Sequence, residues 1–124
     1  MLPGVQAQLE RLKEEYPDVE VRLQADGAVH IEVPDIPIAT GWNKDRICIL
    51  IVLPVGYPQA PASGFNSDHD LQLIGGKKPD GGGEQNIDGQ AWLHFCWSPQ
   101  NWDYKKESLW KFLKFCQSRF EERR

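Results

Sequence analysis

Residues 53–65 read Leu53-Pro54-Val55-Gly56-Tyr57-Pro58-Gln59-Ala60-Pro61-Ala62-Ser63-Gly64-Phe65. Prolines at 54, 58 and 61 remove backbone donors that a sheet ladder needs, so the segment reads as a rigid, irregular crossing. Immediately before it, Ile47-Cys48-Ile49-Leu50-Ile51-Val52-Leu53 is one continuous apolar run. Such a run fits a strand covered on both faces, and it is predicted to be the central strand. The crossing therefore leaves the sheet from the end of its central strand.

Further upstream, Val19–Leu23 and Val29–Val33 alternate apolar with polar residues around a turn containing Asp26-Gly27. That pattern predicts a β-hairpin. Pro34 and Pro37 are expected to interrupt it, leaving residues 34–45 as a loop that pins Trp42 near the sheet. Ahead of the hairpin, Val5, Leu9, Leu12 and Tyr16 recur at helical spacing until Pro17, predicting an amphipathic helix over about residues 3–15.

Downstream, Gly75–Gly89 holds six glycines and few apolar side chains, and is expected to be a long mobile loop. It lacks the Gly-Lys-Ser/Thr ending of a phosphate-binding loop. Leu109, Phe112, Leu113, Cys116 and Phe120 then repeat at helical intervals, predicting a final helix over about residues 105–122.

A length of 124 residues suits one domain, taken as 1–124, and 40% hydrophobic with 26% charged residues is the balance of a globular chain with a core. The formal charge of −4 excludes a general nucleic-acid binder, which needs a clustered basic surface. Seven of the fourteen Lys and Arg residues lie between Lys105 and Arg124, a pattern read as a solvated helix face with a basic tail. No run reaches the roughly 18 apolar residues that span a bilayer, and Met1-Leu2-Pro3-Gly4 is unlike a secretion signal. A cytoplasmic protein with no membrane partner is expected.

The cysteines are Cys48, Cys96 and Cys116, odd in number and without a C-x-x-C pair, so reduced thiols are expected. Cys48 lies in the apolar strand and Cys116 on the buried helical stripe. Cys96 instead follows the glycine-rich loop and precedes Ser98-Pro99, where a thiol is open to a partner. His94 stands two residues before it, and on an extended segment the two side chains point the same way. His30, His69, His94 and Cys96 show no close ligand pairs, so no metal and no other cofactor is expected. Trp92, Trp97 and Trp102 surround Cys96; Trp102 is read as core, and the other two as either core or docking surface.

The order helix, hairpin, long strand, proline crossing, glycine-rich loop, cysteine among tryptophans and final helix resembles the ubiquitin-conjugating enzyme family. Residues 53–65 resemble its strand, Pro, x, x, Tyr-Pro, x, x, Pro-Pro pattern, with Ala62 in place of the last proline, and Cys96 followed by Asn101-Trp102 resembles its active cysteine and the tryptophan opening the next helix. The resemblance covers most of the chain and implies an α+β fold of UBC-like type: an N-terminal helix, a short antiparallel meander sheet, a long active-site loop and a C-terminal helix packed on the sheet. The family's His-Pro-Asn ahead of the cysteine is absent; Gln85-Asn86-Ile87 is its nearest echo.

That the sequence stops after the helix following Cys96 resembles the compact bacterial branch, found beside an activating enzyme, a ubiquitin-like protein and a JAB-type peptidase. Some members of that branch lack an obvious active cysteine. The resemblance implies a conjugating transferase, with Cys96 as the thioester-forming nucleophile, Asn86 as the oxyanion group and His94 as a local hydrogen-bonding helper. It also implies that the activating enzyme docks on the first helix and the adjoining sheet edge. A second reading, a binding module of the same fold without thioester chemistry, stays open because the tripeptide is missing.

Overall fold

The computed structural model describes residues 3–57, 59–60, 62–97 and 108–124. In chain order these form α1 (Pro3–Glu15), β1 (Glu20–Leu23), β2 (Val29–Pro37), β3 (Arg46–Leu53), β4 (Phe65–Asp68), β5 (Gly82–Ile87), β6 (Gln90–Phe95), α2 (Leu109–Ser118) and a 3₁₀ turn, Arg119–Glu121. The strands make one sheet in the order β1-β2-β3-β4-β6-β5, with every pair antiparallel. This is the α+β, UBC-like arrangement of N-terminal helix, antiparallel sheet and C-terminal helix.

Alternation decides which face is buried. Val29, Ile31 and Val33 of β2 sit opposite Leu53, Ile51 and Ile49 of β3, and all six belong to the main core. Phe65, Leu93 and Phe95 extend the same face. Helix α1 covers it with Val5, Leu9 and Leu12, and α2 with Leu109, Phe112, Leu113 and Cys116. Both helices thus bury one stripe against the sheet, as amphipathic periodicity requires.

The Gln8 side-chain oxygen joins three segments, accepting from the Tyr57 hydroxyl at 2.6 Å and from the Leu109 amide at 2.8 Å. It ties α1 to the crossing after β3 and caps an orphan donor at the start of α2. Ser108 caps the same helix by accepting from the Lys111 amide.

Two expectations are corrected. Strand β2 does not stop at Pro34; it runs to Pro37 through a bulge between Val33 and Ile36, with Asp35 at φ 57°. The extra residue absorbs the position where proline offers no donor and returns Ile36, fully buried, to the core face. The loop that follows holds Trp42 as expected: it is 4% exposed.

The glycine-rich stretch is not one long loop either. Residues Gly82–Ile87 form the edge strand β5, joined to β6 by the two-residue turn Asp88-Gly89, both at positive φ (53° and 78°). An exposed edge strand is held by backbone pairing and needs no apolar pattern. The Asp-Gly dipeptide was the available signal, since two adjacent positive φ values suit a tight hairpin.

The second face of the sheet is partly covered by that hairpin. Asp88 reaches back to His30 Nδ1 at 2.8 Å and to Arg22 at 3.3 Å, so the turn leans across β4 and β3 toward β2. The His30 contact, aided by Arg22, holds the Asp88 carboxyl below the usual aspartate range. Leu50 and Trp92 are buried on this face, outside the main core. Trp92 is therefore packing, and Trp102 lies outside the described residues. The sequence expectation for the final helix is met over Leu109–Ser118, while residues 105–107 lie outside the described residues.

Leu113 is fully buried between α2 and the sheet. Leu113→Asp places an unpaired carboxylate there and is expected to remove about 4 kcal/mol or more of stability. Chemical denaturation followed by circular dichroism checks this; an unchanged midpoint would contradict the packing of α2.

Candidate functional site

Strand β6 ends at Phe95, whose ring enters the core, and Cys96 follows as the first residue beyond the strand. Phe95 stacks on Phe65 at 5.2 Å and meets the edge of Phe120 at 5.5 Å. Its carbonyl is approached closely by Gly64, where an added Cβ would lie 2.2 Å from the Phe95 oxygen. Gly64, at φ 153°, thus has no room for a side chain, and the end of the proline crossing is held tightly against the segment that presents Cys96.

Cys96 is exposed and opens onto a pocket of about 230 Å³. The other walls come from Asp80 and Gly81 before β5, from Phe95 and Trp97, and from Arg119 and Arg124 at the C-terminal end. Trp97 is half-buried and leans on Phe115 with ring centres 4.8 Å apart. It is a partly open wall.

Arg119 is the least obvious member of this set. It is 3% exposed, and its guanidinium donates to the carbonyls of Asp80 (2.8 Å) and Glu122 (3.1 Å) and to the terminal carboxylate of Arg124 (2.7 Å). It also lies over the rings of Phe95 and Phe120, at 5.4 and 5.8 Å. Burial, followed by the like charge of Arg124, pulls its pKa below the ordinary arginine value. Sequence reading missed Arg119 because it sits beside the helical stripe, in a run of basic residues that looks like a solvated tail.

His94 lies on the sheet face opposite Phe95 and faces Asn66, with Nδ1 2.9 Å from the Asn66 side-chain oxygen. The Asn66 amide nitrogen donates to the Leu50 carbonyl, so its oxygen faces the ring and assigns the proton to Nδ1. Burial lowers the His94 pKa, which favours the neutral ring. His94 is thereby tied into the sheet, and among the described residues no hydrogen bond joins it to Cys96.

Asn86 is brought to neither. It pairs with Ala91 near the turn of the β5–β6 hairpin, whereas Phe95, next to Cys96, pairs with Gly82 at the opposite end. Asn86 lies four residue steps along the strand from Gly82, about 13 Å of rise. The structure thus does not place Asn86 where an oxyanion at Cys96 would form. The imidazoles of His30 and His69 have their own partners, Asp88 and Glu84, away from Cys96.

Of the other two thiols, Cys116 is buried and Cys48 is partly buried. Burial, with Glu32 and Asp68 nearby, pushes the Cys48 thiol up to about 12, and burial raises Cys116 well above the ordinary thiol value. With native protein at pH 8, iodoacetamide is expected to label Cys96 at least about a hundredfold faster than either. Peptide mass mapping over a time course checks this; comparable labelling of Cys48 or Cys116 would contradict the burial assignment.

Among the described residues no helix is long and apolar enough to cross a membrane. No curated protein and no solved structure matches the chain. A family model described as Prokaryotic E2 family E matches residues 6–123, from within α1 to the segment after the 3₁₀ turn. Since the match takes in every strand and α2 as well as Cys96, the chain belongs to this family of prokaryotic ubiquitin-conjugating-like proteins.

Proposed function

We propose that the protein is a conjugating transferase that carries a ubiquitin-like protein as a thioester on Cys96 and passes it to an amine, within a bacterial cytoplasmic conjugation system. The observation that supports this reading is Cys96 itself. It is an exposed cysteine at the mouth of a pocket, at the end of a strand, in a chain of the prokaryotic E2 family.

In the first step the Cys96 thiolate adds to the terminal carbonyl carbon of the ubiquitin-like tail, held as a thioester on an activating enzyme. The carbonyl oxygen takes the negative charge; its collapse breaks the original carbon–sulfur bond and releases the activating enzyme's thiolate. In the second step an amine adds to the same carbon, the carbon–sulfur bond to Cys96 breaks, and the amine's surplus proton leaves to the thiolate or to solvent. Splitting one acyl transfer into two exchanges is the ordinary advantage of a covalent nucleophile.

The partners this reading requires are the ubiquitin-like protein and its activating enzyme, with a JAB-type peptidase as the processing enzyme of the same system. The activating enzyme docks on the outer side of α1, around Arg11 and Lys13. Arg11 lies 5.1 Å over the Trp110 ring, so that surface is a joint face of α1 and α2.

A second reading, a binding module of the same fold, is favoured by the separation of Asn86 from Cys96. Incubation with a cognate activating enzyme, its ubiquitin-like protein and ATP separates the two. The transferase reading expects an adduct that a thiol reductant removes, that becomes a reductant-resistant oxyester in Cys96→Ser, and that is lost in Cys96→Ala. An adduct unchanged in Cys96→Ala would sink the assignment. Absence of any adduct with a competent activating enzyme would favour the binding module.

A further inference from the structure

The outermost strand of an open sheet carries a row of backbone donors and acceptors that can pair with another chain. Here the outermost strands are β1 and β5. Strand β1 is separated from β6, which leads into Cys96, by β2, β3 and β4, whereas β5 pairs with β6 directly. The β5 edge is therefore the one beside the cysteine.

The hairpin turn fixes which β5 groups face outward. Ile87 and Gln90 flank the two-residue turn Asp88-Gly89, and residues flanking such a turn exchange both of their backbone bonds. Alternation then commits Gln85 and Gly83 to β6 and turns the backbone groups of Asn86, Glu84 and Gly82 to the free side. Gly82 agrees with this phase, since its amide donates off the ladder, to the Pro79 carbonyl at 3.3 Å. Among the described residues no strand or loop takes up the amides of Glu84 and Asn86.

Side chains leave the edge open. Residues 83–86 are all exposed, and a Cβ built on Gly81 would meet nothing within 4 Å. Glycine in and beside a strand lets a second backbone approach closely.

Direction and end point follow from the register. Gly82 sits opposite Phe95, and β5 runs from there toward its turn, away from Cys96. A peptide whose last carbonyl must reach Cys96 runs the other way, antiparallel to β5. From the outer side of β5 to β6 is two strand spacings, about 10 Å, which three extended residues cross. Their route is the pocket itself, with Asp80 and Gly81 on the β5 side and Cys96 and Trp97 on the other.

We propose that the free edge of β5 takes the extended C-terminal tail of the ubiquitin-like protein as an added antiparallel strand and delivers its terminal carbonyl to Cys96. Main-chain bonds supply the affinity in such strand addition. Asn86, remote from the sulfur, serves through its backbone. The proposal rests on the transferase reading for the identity of the tail, but the strand addition is measurable without it.

Native protein is joined by a disulfide at Cys96 to a short peptide of alternating threonine and valine, residues that favour strands, ended by a glycine pair and a cysteamine thiol. The tether raises the effective concentration of the peptide to about the millimolar range. Amide hydrogen exchange, read by NMR, is expected to slow at least about tenfold at Glu84 and Asn86 and to change little at Gly83 and Gln85, which are already bonded to β6. No slowing, or slowing spread evenly over residues 83–86, overturns the proposal. Protection of the same two amides in the untethered protein that disappears on dilution would assign the edge to a second copy of this chain, and that also overturns it.

In the loading reaction, Glu84→Pro removes one outward donor while sparing the ladder to β6, as proline on the solvent side of an edge strand allows. Loading of Cys96 is expected to slow about three- to tenfold, the effect of one backbone hydrogen bond. It should slow clearly less in Glu84→Ala, which loses the same side-chain contacts to His69 and Lys78 but keeps the amide. Equal slowing in the two variants overturns the proposal. A wild-type protein that never loads, with the tethered peptide protecting Glu84 and Asn86 as expected, overturns the transferase reading and leaves the peptide-binding edge standing.

Discussion

Phe120 is fully buried, and its ring meets Trp42 at 5.7 Å, Phe65 at 5.9 Å and Phe95 at 5.5 Å, each nearly edge to face. Such pairs contribute beyond the area they bury because the positive edge of one ring meets the negative face of another. The Trp42 indole N–H adds a 2.9 Å hydrogen bond to the Phe120 carbonyl, where the helix has run out of its own donors. This contact joins the loop after β2, strand β4, strand β6 and the C-terminal turn. It also fixes the residue before it, Arg119, in the wall of the pocket at Cys96, so the aromatic cluster shapes that pocket as well as the fold.

The same cluster explains why the segment carrying Cys96 is presented from a rigid base. Phe65 follows the proline crossing and Phe95 precedes Cys96, and the two rings stack. Gly64 has no space for a Cβ beside the Phe95 carbonyl, which keeps the two chains in contact up to the cysteine. Sites held on strand ends by packed aromatic rings are placed more accurately than sites on free loops.

Much of this was legible in the amino-acid order. The periodicity of Val5, Leu9 and Leu12, the apolar run before Pro54 and the stripe from Leu109 to Phe120 each answer to burial, and burial is what the structure shows. The errors fell where backbone rather than side chains decided the outcome. Pro34 was absorbed by a bulge that depends on Asp35 adopting φ 57°, and β5 is held by ladder bonds that its exposed side chains do not advertise. Cys96 was identified by elimination, and its exposure agrees with that reasoning. Asn86 was chosen for its residue type near a matching tripeptide, and an antiparallel hairpin carries it to the wrong end. Arg119 was invisible because an arginine beside a helical stripe, in a basic tail, has the look of a surface charge, and only the fold reveals that two carbonyls, the Arg124 carboxylate and two rings enclose it.

The chemistry proposed for this arrangement is acyl transfer at Cys96. Locating the acyl group within the chain tests it most directly. Protein loaded by its activating enzyme is digested at mildly acidic pH without reductant, and the remnant of the ubiquitin-like tail is mapped by tandem mass spectrometry. The expected result is a thioester-linked remnant on the peptide containing Cys96. A remnant on Cys48, Cys116 or a lysine, with Cys96 unmodified, would contradict the account.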